Sequence, residues 1–317
     1  MDAYAFDESK KDLKEYTCGL RELYAKDYER YESLINAGKD NIPWALDPEK
    51  NLAKIDYNFH YHALQTEMLR YGLGKFDIII PYYGESIEQF KALKENLLSQ
   101  TIIQDCVIYL VSDHSHMDLG VVKLFANTID LYCVFLKNNT EHCGPGAARN
   151  KGIENSYNKN VLFLDADDAF AHPKVLENLY ADTLGHEEVV SFRCYQKDGI
   201  GNKTSYVINR KYLRNLRHEN YPFGEDRAFE IKLLSIVPDH KIKAYSNTKN
   251  EFMVYNATKG NNITTSFYGY DPRHFSLLTA NYLAFKEVLS SNLIHNEGLI
   301  LNYLYAFCEL FEDFAIN

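Results

Sequence analysis

The sequence predicts an α/β fold: a Rossmann-like mixed sheet with helices on both faces, plus an N-terminal helical extension and C-terminal helices. Three observations carry this expectation. Short apolar runs alternate with amphipathic stretches from residue 76 onward. The runs are rich in Ile, Val and Leu, as in strands covered on both faces. Polar residues crowd directly behind those runs, where ligands sit in open α/β sheets.

Residues 1–75 form the first region. Leu13, Tyr16, Leu20, Leu23, Tyr24, Tyr28, Tyr31 and Leu34 recur at helical spacing, Gly38 is a stop, and Trp44 falls in a loop with Pro43 and Pro48. The region reads as a helical extension packed on the main domain, or as a surface for homo-oligomer or partner contact. At Phe76 the texture changes. Residues 76–81 read as a strand; Ile87, Phe90, Leu93, Leu97 and Leu98 mark a helix; residues 106–111 are a second strand. A short helix over 121–126, a strand over 131–135, a helix over 144–157 and a strand over 160–164 follow. Beyond residue 186 the pattern loosens. Strands over 189–193 and 205–207 flank a turn-rich linker at 198–202, followed by a helix over 224–234, a strand over 252–255 and helices over 275–290 and 296–311. The expected division is therefore 1–75, a domain over 76–265 with halves 76–185 and 186–265, and 266–317.

Composition narrows the function. The formal net charge is -10, with no long Lys/Arg run, which disfavours non-specific nucleic-acid binding. Lys203, Arg210, Lys211, Arg214, Arg217 and His218 form the densest basic stretch, read as a solvated face or as contact with an anionic partner. The six cysteines lie apart with no C-x-x-C pair, so neither a zinc nor a disulfide framework is expected. The first residues are polar and acidic, and no apolar stretch approaches the roughly 20 residues of a membrane span. A cytoplasmic protein is expected.

Five segments carry candidate chemistry. Pro81-Tyr82-Tyr83-Gly84-Glu85 ends the first strand, where an aromatic can stack on a nucleobase; an ordinary strand-to-helix turn is the plainer explanation. Ser112-Asp113-His114-Ser115 ends the second, where a carboxylate can accept from a base or ribose, or cap a turn. His114 and His116 alternate, but without further ligands at suitable spacing. Gly144-Pro145-Gly146-Ala147-Ala148-Arg149-Asn150 opens a helix whose free N–H groups suit a diphosphate. Arg149 there either contacts phosphate, orients carboxylates or is solvated. Asp165-Ala166-Asp167-Asp168 follows a buried strand; three clustered carboxylates repel unless a cation joins them. Hard oxygen ligands suit Mg²⁺ or Mn²⁺. Gly224-Glu225-Asp226-Arg227 starts a helix and offers either charges that complement its dipole or a general base.

Taken in order, these segments resemble family 2 glycosyltransferases, inverting enzymes of the GT-A fold, from about residue 76 to 256. Gly84 stands where that family usually has asparagine, and Ser112 replaces the first aspartate of its Asp-Asp-Gly-Ser segment. The resemblance implies a metal-dependent inverting transferase of hexose or pentose, using Mn²⁺ or Mg²⁺ at a DXD motif and a nucleotide-sugar donor, a UDP-sugar first. It implies donor binding by Pro81, Tyr83, Glu85, Asp113, Gly144, Gly146, Arg149, Asp165 and Ala166, metal binding by Asp167 and Asp168, and Glu225 and Arg227 on the acceptor side. Asp226 would be the catalytic base. A third metal ligand is unassigned, with His240 and His274 as candidates. The acceptor is any hydroxyl, on a glycan, a small molecule or a hydroxylated DNA base. Rival readings are a nucleotidyltransferase, which normally carries a basic glycine-rich loop where Tyr-Tyr-Gly-Glu-Ser stands, and a non-catalytic nucleotide-sugar-binding scaffold.

Overall fold

Seven successive buried residues, Phe76–Tyr82, form β1. The computed structural model describes residues 69, 72, 74–114, 118–126, 128, 130–138, 143–185, 187–196, 199–219, 224–245, 252–254 and 272–290. They belong to the second of two units, Met1–Glu67 and Met68–Asn317. The expected N-terminal helices and the expected helix over 296–311 lie outside the described residues.

After β1 come α1 (Ile87–Leu98), β2 (Cys106–Ser112), α2 (Leu119–Ala126), β3 (Tyr132–Lys137), α3 (Pro145–Asn155), β4 (Asn160–Phe163) and β5 (Ala169–Phe170). Then follow α4 (Val175–Thr183), β6 (Val189–Gln196), β7 (Gly199–Asn209), α5 (Glu225–Ile236), β8 (Ile242–Tyr245), β9 (Met253–Val254) and α6 (Pro272–Leu289). The strands make one sheet in the order β3-β2-β1-β4-β7-β6-β9-β5, with β8 also beside β6. β1 pairs in parallel with β2 and with β4, and β2 in parallel with β3. β7 is antiparallel to both β4 and β6, which makes the sheet mixed.

Strand alternation sends side chains to two cores. Ile78 and Ile80 pack with Phe90, Leu93, Phe125 and Leu176, from α1, α2 and α4. Ile79 packs with Ala148, Ile153, Phe229 and Leu233, from α3 and α5. The approach of α3 to β1 requires a glycine: a Cβ on Gly152 would stand 2.4 Å from Ile79 Cγ2. α1 is started by a capping box, Ser86 accepting from the Gln89 N–H while the Gln89 side chain accepts from that of Ser86. A third cluster joins Ala228, Ile231 and Leu234 of α5 to Ala280, Ala284, Phe285 and Val288 of α6.

β1 to β3 build outward on one side of β1, whereas β4 lies on its other side. The strand order therefore reverses beside β1, and a crevice opens at the carboxyl ends of β1 and β4. Two departures from expectation stand out. Residues 199–202 are not linker: they begin β7, because pairing such as Gln196↔Gly199 and Tyr195↔Ile200 overrides the weak strand preference of glycine. α4 was not expected, although Val175, Leu176 and Leu179 lie at helical spacing.

At the other end of β1 a polar knot holds the layers together. The buried Asp77 carboxylate accepts from the Tyr157 N–H at 2.7 Å, the Asn158 N–H at 2.6 Å, Asn158 Nδ2 at 2.7 Å and Arg210 Nη2 at 3.1 Å. Arg210 also donates to the Asn158 and Ile153 carbonyls. Asp77→Ala leaves a guanidinium and three amide donors without this acceptor; it is expected to cost about 3–5 kcal/mol, read as a lower urea midpoint at unchanged slope.

Candidate active site

The crevice is walled by the segments that follow β1, β2 and β4 and by the first turns of α3 and α5. Pro81 pairs with Val111 one residue before the end of β1, and Tyr83 stands just beyond the strand, 46% exposed. Its ring stacks on His114, centroids 4.3 Å apart and planes at 24°. The Glu85 carboxylate accepts the Tyr83 N–H at 2.6 Å. Burial, and secondarily the charge of Asp165, push the Glu85 carboxyl above its ordinary value. A cleft of about 410 Å³ opens here, lined by Tyr82, Gly84, Glu85, His114, Asp118, Leu119 and Gly120. His114 serves as a stacking partner in this arrangement; His116 lies outside the described residues.

Asp113 is buried. Its Oδ1 accepts from Asn138 Nδ2 at 2.6 Å and the Cys143 N–H at 3.0 Å, and its Oδ2 from the Gly144 N–H at 2.8 Å. The Gly144 N–H, in the segment expected to meet a diphosphate, is thus turned to Asp113 together with that of Cys143, which orders the loop that opens α3. Gly146 lies in the first turn of α3, where a Cβ would come within 3.0 Å of the Glu219 carbonyl and of Glu225 Cγ.

Arg149, on the next turn, is 6% exposed. Nη2 donates to Asp165 Oδ1 at 2.8 Å and Nη1 to Glu225 Oε1 at 2.9 Å. Both contacts are to carboxylates, one of the kinds of partner open to Arg149. Asp165 follows β4, with Ala166 buried behind it and Asp168 only 2% exposed. One carboxylate oxygen from each of Asp165, Asp167 and Asp168 falls in a group within 4.8 Å. Among the described residues no histidine joins the group: His240 is exposed in the turn Asp239–Lys241, and the His274 side chain is outside them.

In the first turn of α5 Glu225 faces inward and Asp226 is exposed. Glu225, expected on the acceptor side, is buried against Arg149. Burial, then the charge of Asp226, raise its carboxyl, with Arg149 opposing. Arg227 Nη1 donates to Glu230 Oε2 at 3.2 Å, and Glu230 also accepts from the Tyr206 hydroxyl.

The basic stretch is not one solvated face. Arg210 is bound to Asp77, Lys211 pairs with Glu188, and Arg217 donates to the Leu213 and Leu216 carbonyls. His218 is buried and lies flat on Phe229, centroids 4.0 Å apart. Its backbone exchanges two hydrogen bonds with the Asn150 side chain, at 2.8 and 2.9 Å. Asn138 and the inward placement of His218 were not anticipated, whereas Asn150 stood in the candidate segment that opens α3, without a role of its own. Asn150 follows directly on Arg149, the one sequence signal that it belongs to the site.

Residues 77–251 match the profile of glycosyl transferase family 2, more than half of the chain. The chain belongs to glycosyl transferase family 2. A Rickettsia bellii protein named an uncharacterized glycosyltransferase is 32% identical over 116 residues, 36% of this chain and 16% of its own length. The chain spans less than a third of the length of the curated relatives it matches. Among solved structures, Staphylococcus aureus TarS 1-349 with UDP-GlcNAc is 19% identical, covering 75% of this chain and 73% of that one, with a TM-score of 0.59. The mannosyltransferase PcManGT from Pyrobaculum calidifontis, with GDP-Man and Mn²⁺, is 14% identical, covering 77% and 75%, with a TM-score of 0.50. These likenesses establish the GT-A type of fold for this family 2 member. Among the described residues no helix is long and apolar enough to cross a membrane.

His218 ties this family 2 site to pH. Burial, and then the Arg149 guanidinium, hold its imidazole well below its ordinary 6.5. Below that value the unfolded chain binds a proton that the folded chain refuses, so acidification costs stability, at up to about 1.4 kcal/mol per pH unit. His218→Phe is expected to remove this share: its denaturant midpoint should fall less than that of the parent between pH 7.5 and about pH 5.

Proposed function

We propose that this chain moves a sugar from a nucleotide diphosphate donor to an acceptor hydroxyl, with inversion at the anomeric carbon and with a divalent cation. The observation that carries the reading is the three-aspartate group behind β4, bridged through Arg149 to the helix start that bears Asp226.

The donor set fits Mn²⁺ or Mg²⁺, since every ligand offered is a hard carboxylate oxygen. Asp167 and Asp168 would hold the ion, because one oxygen of Asp165 is already bound to Arg149. Bound there, the cation supplies Lewis-acid stabilisation to a departing diphosphate. The chain's own residues do the rest. Tyr83 and the cleft beside Glu85 receive the base and ribose, and Asp113 keeps the Gly144 loop in place beneath them. Asp226 takes the proton from the acceptor hydroxyl as its oxygen attacks the anomeric carbon from the face opposite the leaving group. The bond from that carbon to the phosphate oxygen breaks as the new glycosidic bond forms. A UDP-sugar is the favoured donor, on the resemblance and on the UDP-GlcNAc bound by TarS.

The acceptor hydroxyl is that of a glycan, a small molecule or a hydroxylated nucleic-acid base. Arg210, Lys211 and Arg217 engage partners within the chain, which removes the basic stretch as support for an anionic acceptor such as DNA.

Asp226→Asn is expected to lower transfer by about 10²–10⁴-fold while keeping the thermal shift produced by UDP with Mn²⁺. Full transfer by that variant would overturn the base assignment. Asp167→Ala should lose the Mn²⁺-dependent part of the shift. Product analysis completes the test, since release of pyrophosphate in place of nucleoside diphosphate would point to nucleotidyl transfer.

A further inference from the structure

The geometry points to Arg149 as a positioning residue that sets where the base stands, by tying the donor wall at Asp165 to the start of α5 at Glu225. The inference rests on the reading of Asp226 as the base. It goes beyond that reading by giving a function to the ion triad Asp165–Arg149–Glu225, whose arginine is buried.

The planar guanidinium spends one terminal nitrogen on each carboxylate, at 2.8 and 2.9 Å. The two partners come from different layers: Asp165 from the segment after β4, Glu225 from the first residue of α5. Arg149 itself rides on α3. One side chain thus fixes three elements at the crevice, and it is buried. A lysine at this place would carry the charge but not the fork, since a compact ammonium cannot present two fixed N–H directions to two acceptors.

Packing adds to the constraint. The close fit at Gly146 seats the first turn of α3 directly on Glu225 and residues 218–219. His218, held by Asn150, lies flat on Phe229 one turn into α5. Asp226 is the residue after Glu225, and its Oδ1 accepts the Arg227 N–H of the same helix turn at 2.7 Å; its direction follows from the turn that Arg149 pins. The triad also balances charge. Without Arg149, Asp165 and Glu225 would be two carboxylates facing one another beside Asp226.

The test is steady-state kinetics on Arg149→Lys, Glu225→Ala and Glu225→Gln, each alone and combined with Asp226→Asn, with UDP and Mn²⁺ thermal shifts as a second readout. Arg149→Lys and Glu225→Ala are expected to lower kcat about tenfold or more while donor KM stays within about threefold and the thermal shift persists. Glu225→Gln keeps an acceptor for Arg149 Nη1 and should restore most of the turnover. On top of the residual rate of Asp226→Asn, Arg149→Lys should cost less than about twofold more, because residues acting through one another are not additive. Losses that multiply in that background overturn the inference. So does a rise in donor KM at unchanged kcat, which would make Arg149 a phosphate ligand. Should Arg149→Lys prove unfolded, the Glu225 pair carries the same comparison. Full activity of Asp226→Asn is a separate outcome: it removes the base itself, and with it the route through residue 226.

Discussion

Helix α3 is gripped at both ends by a buried aspartate, and the crevice depends on that double grip. At its start, Asp113 on the end of β2 takes the N–H groups of Cys143 and Gly144. Beyond its other end, Asp77 near the foot of β1 takes those of Tyr157 and Asn158. Between the two, Gly152 lets the helix lie against Ile79 at a distance that no other residue permits. The helix cannot slide along the sheet without breaking one set of bonds. Because it cannot slide, Arg149 arrives at a fixed height above the gap where the strand order reverses.

That gap collects negative charge. Glu85, Asp165, Asp167, Asp168, Glu225 and Asp226 all border it, and Arg149 neutralises two of them. The excess is felt: like charges help to raise both Glu85 and Glu225, on top of their burial. A protein that stores repulsion at one place holds it for a ligand of opposite sign. A cation held among these carboxylates would relieve that repulsion.

The positions of the chemistry were legible in the sequence because strands end where their apolar runs end. Tyr83, Asp113 and Asp165 each stand just beyond such a boundary, and Asp226 stands in the first turn of α5. Their partners were not legible. Asp77 reads as an interruption of an apolar run and Arg210 as one cation of a basic stretch; 133 positions separate them, and only the folded sheet shows them as one pair. Arg149 and Glu225 are 76 apart. β5 has two residues, too few for any periodicity to register, whereas the strand expected over 252–255 contains β9. Glycines at 199 and 201 marked a linker, yet cross-strand bonds carry them into β7. Local pattern fixes local elements; long-range pairs answer to packing and charge.

The segment Glu225-Asp226-Arg227 illustrates how much follows once a helix begins at a defined residue. Successive side chains on an α-helix turn by about 100°. Glu225 can therefore be buried against Arg149 only if Asp226 points elsewhere, and the burial of the first carboxylate is what exposes the second. A further turn carries Arg227 round to Glu230, three residues on, which Tyr206 holds from β7. Both acidic side chains lie where the helix dipole favours them. With the order of the first two reversed, the same charges would start the same helix, but aspartate lacks the extra methylene by which Glu225 reaches Arg149. The longer acid inside and the shorter acid outside is thus the arrangement that lets one carboxylate anchor the helix and leaves its neighbour exposed at the crevice.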